Sequence, residues 1–254
     1  MSPAAVPESS GERSAFPESL LRYEIRDGLA WVTIDDGKAN AFTLQVIRDL
    51  HDVLDRSEKA GPDNIRALVI EGRPGYLSGG FDLGVMRSGP LQALELATAG
   101  GELFVRIFGS PVPVVVACTG HAVGAGTLLM LGADARIGVM GNFRIGLIET
   151  QIGLALPHWA MHLARERVNR AHLQAATVGA RIYDPAAACE VGFLDTVVPA
   201  DELADAVRAE ADCWGSLPRE AYAAQVRVNR GAVLDRITSD FVRDRERGEI
   251  SETG

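Results

Sequence analysis

Glu149 is the residue whose surroundings most favour acid–base chemistry. It lies in Ile145-Gly146-Leu147-Ile148-Glu149-Thr150-Gln151-Ile152-Gly153-Leu154, with apolar residues on both sides. A carboxylate in such a run is costly to bury unless paired, and burial raises its pKa. That suits a proton-transfer base near neutral pH; on an exposed loop the same residue would be a plain surface charge. His158 and His162 stand one helical turn apart, the spacing of a metal-binding pair. Trp159 rather than a glutamate follows His158 and no third ligand is in view, so two packing histidines, and no metal, are expected. Ser78 has Tyr76 where a nucleophile elbow needs glycine, so it is not expected to be a nucleophile.

A second candidate is the string Val114-Val115-Val116-Ala117-Cys118-Thr119-Gly120-His121-Ala122-Val123-Gly124-Ala125-Gly126. A strand, a glycine-rich turn and a helix in this order resemble the dinucleotide turn of short-chain dehydrogenases, where a pyrophosphate meets a helix N-terminus. Such a turn should follow the first strand, and this one is preceded by several. Those enzymes also use a Tyr with a Lys four residues on, whereas Tyr23, Tyr76, Tyr183 and Tyr222 are followed there by Asp27, Gly80, Ala187 and Val226. A lone glycine motif is a weak signal, and NAD(P)H binding would be needed to revive this reading.

The elements that must position these residues follow from patterning. Strands are expected at Leu21–Arg26 and Leu29–Ile34 around an Asp27-Gly28 turn, at Ala67–Ile70, Val112–Cys118 and Ala135–Val139, around Phe143–Ile145, and at Phe193–Val198. Thr43 can cap a helix to about Ala60, on which Val46, Ile47, Leu50, Val53 and Leu54 share a face. Further helices are expected from Pro90 to Phe108, over Thr127–Leu131, Trp159–Val168, Arg170–Val178 (capped by Asn169), from Asp184-Pro185 to Gly192, and over Asp201–Trp214 and Pro218–Asp235. Gly72–Gly80 and Gly120–Gly126 read as a loop and a turn. Strands alternating with helices, then helices alone, make an α/β fold with a helical C-terminal piece.

The 254 residues carry 25 basic and 34 acidic side chains, a net charge of −9, and 47% are hydrophobic. That excludes fibrous and wholly disordered classes and argues against nucleic acid or an anionic membrane surface as partner. Ile107 to Ala133 has no formal charge, but its prolines and glycines preclude a continuous membrane helix. Residues 1–19 are Ser/Pro/Glu-rich without a signal-peptide pattern and are expected to be a disordered tail. Three widely spaced cysteines fit a reduced compartment, here the cytoplasm. Lysine occurs only at Lys38 and Lys59, so arginine must serve wherever else a cation is needed.

Several strings together resemble the crotonase (enoyl-CoA hydratase/isomerase) superfamily. Ser78-Gly79-Gly80-Phe81-Asp82-Leu83 is similar to its S-A-G-x-D-L loop. Ala117–Gly126 resembles its second oxyanion loop, followed by Ala133-Asp134-Ala135-Arg136. Ile145–Leu154 is similar to its F-G-x-x-E-x-x-x-G-L. Lys38-Ala39-Asn40-Ala41 and Gly192–Pro199 match its early and late motifs. The resemblance runs from Tyr23 to Pro199 in order.

It implies a ββα spiral core over 20–199, with C-terminal helices over 200–254 packing against a neighbouring subunit of a homotrimer or dimer of trimers. It implies an acyl-CoA thioester substrate and no further cofactor. An oxyanion hole would be formed by the backbone N–H groups of Phe81 and Ala125, which stabilise a thioester enolate. Lys38, Asn40, Ala41, Ser78, Gly79, Gly80, Asp82, Leu83, Gly124, Leu128 and Trp159 would contact the substrate or its CoA portion. Hydratases of the family use two glutamates; here Leu128 stands at the first position and Glu149 at the second. That is the pattern of single-glutamate Δ3,Δ2-enoyl-CoA isomerases, with an aromatic downstream as at Trp159. An enoyl-CoA hydratase, or a non-catalytic acyl-CoA-binding protein, remains the alternative.

Overall fold

The computed structural model describes residues 20–251, with side chains to Arg243, so the tail expected over 1–19 lies outside the described residues. Strands β1 (Leu21–Arg26) and β2 (Leu29–Ile34) form an antiparallel hairpin. Its turn residues Asp27 and Gly28 both have positive φ, as a tight hairpin turn requires. Helix α1 (Leu44–Lys59) begins where Thr43 accepts the Val46 N–H at 3.2 Å. Then follow β3 (Ala67–Gly72), β4 (Gly75–Ser78), α2 (Leu83–Ser88), α3 (Pro90–Phe108), β5 (Val114–Cys118), β6 (Gly120–Val123), α4 (Ala125–Gly132), β7 (Ala135–Val139) and β8 (Ile145–Gly146). A 3-10 helix spans Glu149–Ile152. The remaining elements are α5 (His158–Arg167), α6 (Leu173–Ala176), α7 (Pro185–Val191), β9 (Thr196–Val198), α8 (Leu203–Gly215) and α9 (Arg219–Ser251).

Two sheets arise because successive strands are dealt alternately between them. One has the order β1-β2-β3-β5-β7-β9, parallel beyond the β1–β2 hairpin; the other is β4-β6-β8, all parallel. Each turn of the chain lays a strand in the large sheet, a strand in the small sheet, and then helical structure: the ββα spiral implied by the motifs. The step between sheets needs glycine at two corners. A Cβ on Gly72 would lie 2.1 Å from the Tyr76 carbonyl oxygen, and one on Gly120 would lie 2.1 Å from the Gly75 backbone. These glycines are why the small-sheet strands read as loop and turn in the sequence.

The apolar interior lies between the sheets and α1, α3, α4 and α5, built on Phe42, Leu50, Phe104, Phe108, Leu129 and Leu163. The outer face of the large sheet carries Trp31, Val69, Val115 and Ile137, which Val207 and Ala211 of α8 cover. The C-terminal helices therefore pack on the core of their own chain. Ile237 of α9 is fully buried in the main core. Arg230 of α9 bonds Asp134 at 2.7 Å and the Phe108 carbonyl at 2.7 Å. The helix expected over Arg170–Val178 is reduced to the single turn α6. Asn169 does not cap it, because its backbone N–H and side chain are both bonded to the end of α7, at Val191 and Glu190. The strand expected over Phe193–Val198 shortens to β9, since Phe193 and Leu194 fold back onto the Ala188 carbonyl.

Candidate active site

Nine of the residues singled out in the sequence line one cavity of about 260 Å³: Gly79, Gly80, Phe81, Leu83, Gly124, Ala125, Leu128, Glu149 and Trp159. The rest of the lining is apolar, and Glu149 is its only ionisable residue.

The first loop is set by a short parallel pairing of Phe42 with Phe81. The Phe42 N–H donates to the Gly80 carbonyl at 2.9 Å and the Asp82 N–H to the Phe42 carbonyl at 3.0 Å. In a parallel pairing this leaves the Phe81 N–H on the side away from Phe42. Ser78, fully buried, donates to the Asn40 carbonyl at 2.6 Å and accepts the Gly80 N–H at 3.1 Å. Asn40, held at φ 53°, donates from its side chain to the carbonyls of Ile34 and Tyr76. Asp82 caps α2 by accepting the Val85 N–H at 2.9 Å.

These bonds engage the side chains of Asn40, Ser78 and Asp82, three of the residues expected at the substrate. Their side chains are used within the protein, to hold the loop, and do not line the cavity. Lys38 and Ala41 lie outside the cavity too. Lys38 is exposed, with its carbonyl accepting from Arg73 at 2.6 Å, and the Ala41 N–H donates to Asp36.

The second loop meets the first directly. Gly126 lets the first turn of α4 press on Ser78, whose carbonyl oxygen would lie 2.6 Å from a Cβ there. Ala125 is the first residue of α4, so its N–H lies outside the helical hydrogen-bond ladder. Both prospective donors, Phe81 and Ala125, follow a glycine of positive φ, Gly80 at 106° and Gly124 at 56°. Leu128 lies one turn on, fully buried. Two N–H groups on adjoining loops, one turned away from its Phe42 pairing and one ahead of the helical ladder, are an arrangement that can stabilise a developing oxyanion.

Glu149 is brought to this loop through Thr127, which the sequence reading did not identify. Its hydroxyl donates to the Ala122 carbonyl at 2.7 Å and interacts with both the N–H and C=O of Gly146. The Gly124 N–H also donates to the Gly146 carbonyl at 2.9 Å. Three residues beyond Gly146 the chain enters the 3-10 helix with Glu149 at its head. A Cβ on Gly124 would lie 3.4 Å from Glu149 Oε1, so the carboxylate sits over the second loop. Its Oε2 is shielded from solvent and has no hydrogen-bond partner among the described residues. Burial raises the Glu149 pKa above the ordinary 4.5, opposed in part by its own backbone N–H. A desolvated carboxylate with one unpartnered oxygen, set beside that loop, can take a proton from carbon and return it.

Also unforeseen were Gly100 and Gly101, adjacent in the middle of α3. A Cβ on Gly100 would lie 2.4 Å from the Phe81 ring, and one on Gly101 2.6 Å from the Trp159 indole. Neither glycine has a turn to make; their signal is two helix-weakening residues in an otherwise regular helix. Of the histidines, His162 bonds Asp240 at 3.0 Å, and no group of three metal-ligating side chains occurs among the described residues. No described helix is long and apolar enough to cross a membrane.

Residues 24–240 match the family model for enoyl-CoA hydratase/isomerase. The chain is 26% identical to the mitochondrial enoyl-CoA delta isomerase 1 of Rattus norvegicus, over 89% of this chain and 82% of the relative. It is 30% identical to the probable enoyl-CoA hydratase EchA17 of Mycobacterium avium, over 78% and 76%. Among solved structures, an enoyl-CoA hydratase/isomerase family protein from Pseudomonas syringae superposes with a TM-score of 0.85 at 38% identity, covering 89% of this chain and 97% of that one. The human mitochondrial delta3-delta2-enoyl-CoA isomerase superposes at 0.81 with 26% identity, covering 89% and 90%. With its two-sheet spiral, its two adjoining glycine loops and this breadth of match, the chain belongs to the enoyl-CoA hydratase/isomerase family.

Proposed function

We propose that this protein isomerises 3-enoyl-CoA to trans-2-enoyl-CoA with Glu149 as its only proton carrier. The supporting observation is the lining of the cavity: one carboxylate, and the apolar Leu128 where a second would assist water. The Phe81 and Ala125 N–H groups hold the thioester oxygen. Glu149 removes a proton from C2; the electron pair delocalises through the thioester carbonyl and the adjacent double bond as a dienolate. The same carboxyl group returns the proton at C4, leaving the double bond between C2 and C3. No proton is gained or lost overall, and a water-poor lining disfavours hydration of the product. The exposed segment around Lys38 and Ala41, tied to the first loop by the Gly79 N–H bond to Ala39 at 2.7 Å, is the surface offered to the CoA portion.

The test is incubation of trans-3-enoyl-CoA and trans-2-enoyl-CoA separately with the wild type and Glu149→Gln, with products identified by mass and chromatography. Conversion of the 3-enoyl ester, lost in Glu149→Gln, is the expected result. Addition of water to the 2-enoyl ester as the main activity would make the protein a hydratase. Binding of both esters without turnover would make it a non-catalytic acyl-CoA binder.

A further inference from the structure

The cavity follows a strip of α3 and then stops. Ala93 and Ala97, on the face of α3 that lines it, leave room for a ligand. The same face continues at Gly100, one turn on, where there is no side chain at all, yet the cavity does not extend there because the Phe81 ring fills the space. Beside it the Trp159 indole rests on Gly101. The two rings are tied through Phe104, whose centroid is 6.3 Å from that of Phe81 and 6.1 Å from that of Trp159. Phe241 of α9 stacks against Trp159 at 6.3 Å. An aromatic wall seated on two glycines thus closes a space the helix itself leaves open.

We infer that the Phe81 ring, with Trp159 beside it, ends the acyl pocket and restricts the enzyme to unfunctionalised acyl groups of medium length. This deepens the proposed function, since it takes the cavity to hold the acyl chain of a CoA ester. Every lining side chain except Glu149 is apolar, so a hydroxyl or carboxyl on the chain would be buried without a partner. At about 260 Å³ the cavity is short along α3, and a chain that follows the helix meets the aromatic wall at Gly100.

The test measures dissociation constants for saturated acyl-CoA esters from butyryl- to palmitoyl-CoA, which bind but cannot be isomerised. Wild-type affinity should rise about fourfold per methylene until the chain meets the rings, then flatten or fall. Phe81→Ala, which keeps the backbone N–H, should move that break to longer chains. Gly100→Ala pushes a methyl into the ring's place and should move it to shorter ones. An unbroken rise to palmitoyl-CoA in the wild type, unchanged breaks in both variants, or no binding of any ester would overturn the inference. The wild-type series alone can do so if a variant fails to fold. A shifting break together with no turnover of 3-enoyl-CoA would leave the pocket assignment standing and remove the isomerase reading, so the two fail separately.

Discussion

Asp134, between α4 and β7, and Glu149, at the head of the 3-10 helix, are carboxylates set among apolar residues of one chain, and their bonding is opposite. The Asp134 side chain is wholly buried and accepts the Val114 N–H at 2.8 Å, the Tyr222 hydroxyl at 2.8 Å and Arg230 at 2.7 Å. Arg230 in turn lies over the Phe108 ring, 4.8 Å from its centroid. Burial, and then the Asp134 charge, push the Tyr222 hydroxyl well above its usual range, keeping it a neutral donor. Glu149 Oε2 has no hydrogen-bond partner among the described residues. A buried charge with every lone pair engaged ties distant segments together; one left unengaged is costly to the fold and available to a reacting proton. Asp134 thus fastens α9 to the core, whereas Glu149 keeps one carboxylate oxygen unengaged.

Exchanging the charge at each site should separate stability from activity. Glu149→Gln is expected to lower kcat on 3-enoyl-CoA by about 10²–10⁴-fold, the range for loss of a general base, while its melting temperature at neutral pH stays level or rises. A clear fall in melting temperature would mean that Glu149 is a structural carboxylate after all. Asp134→Ala leaves Arg230 buried and unpaired, and should destabilise the protein by about 3–5 kcal/mol in denaturant titrations. A loss under 1 kcal/mol would show that the α9 fastening is weak.

A smaller effect is expected at Ser78→Ala, which strips a partner from the Asn40 carbonyl and the Gly80 N–H next to the oxyanion donor. A stability loss of about 1–3 kcal/mol follows from the unsatisfied groups. The decrease in activity should appear in kcat, because the Phe81 N–H is misplaced, with substrate binding largely kept; a pure KM effect would contradict this positioning role.

The pH dependence is the subtlest test. Glu149 has a folded-state pKa raised above its unfolded value, so between the two the folded state holds more protons. Stability therefore falls as pH rises through that window, and Glu149→Gln abolishes this slope. Activity runs the other way, since the base must be ionised. The acid limb of kcat/KM should lie above the ordinary carboxylate value of 4.5, and a limb at or below it would show that the free enzyme's Glu149 is solvated.

How much of this was legible before folding differs by element. The Asp27-Gly28 hairpin, the Thr43 cap, and the strands β3, β5 and β7 carry local signals, and the structure forms them close to where those signals stand. The small-sheet strands β4 and β6 do not, because their glycines serve corners between sheets and mimic loops. Asn169 has the chemistry of a helix cap but is claimed by the end of α7, a competition that only the packed state decides. At the site, Glu149 and the two glycine loops were recognisable by type and order. Thr127, Gly100 and Gly101 were not, since a threonine inside a helix and two glycines in another have no local meaning.

The sequence by itself determined which chemistry is possible: one carboxylate in an apolar run, leucine where a second would stand, two glycine loops that expose backbone donors, and an aromatic residue downstream. Those properties belong to residue types and short spacings, and they survive in any conformation that keeps the segments intact. Tertiary structure alone decided that the two glycine loops adjoin, that Glu149 sits over Gly124 with one oxygen unpartnered among the described residues, that Asn40 and Ser78 tie the first loop down, and that α8 and α9 close their own chain's core. Hydrogen-bond direction, desolvation and cavity shape are set by groups far apart in the chain, and no local pattern encodes which of them will meet.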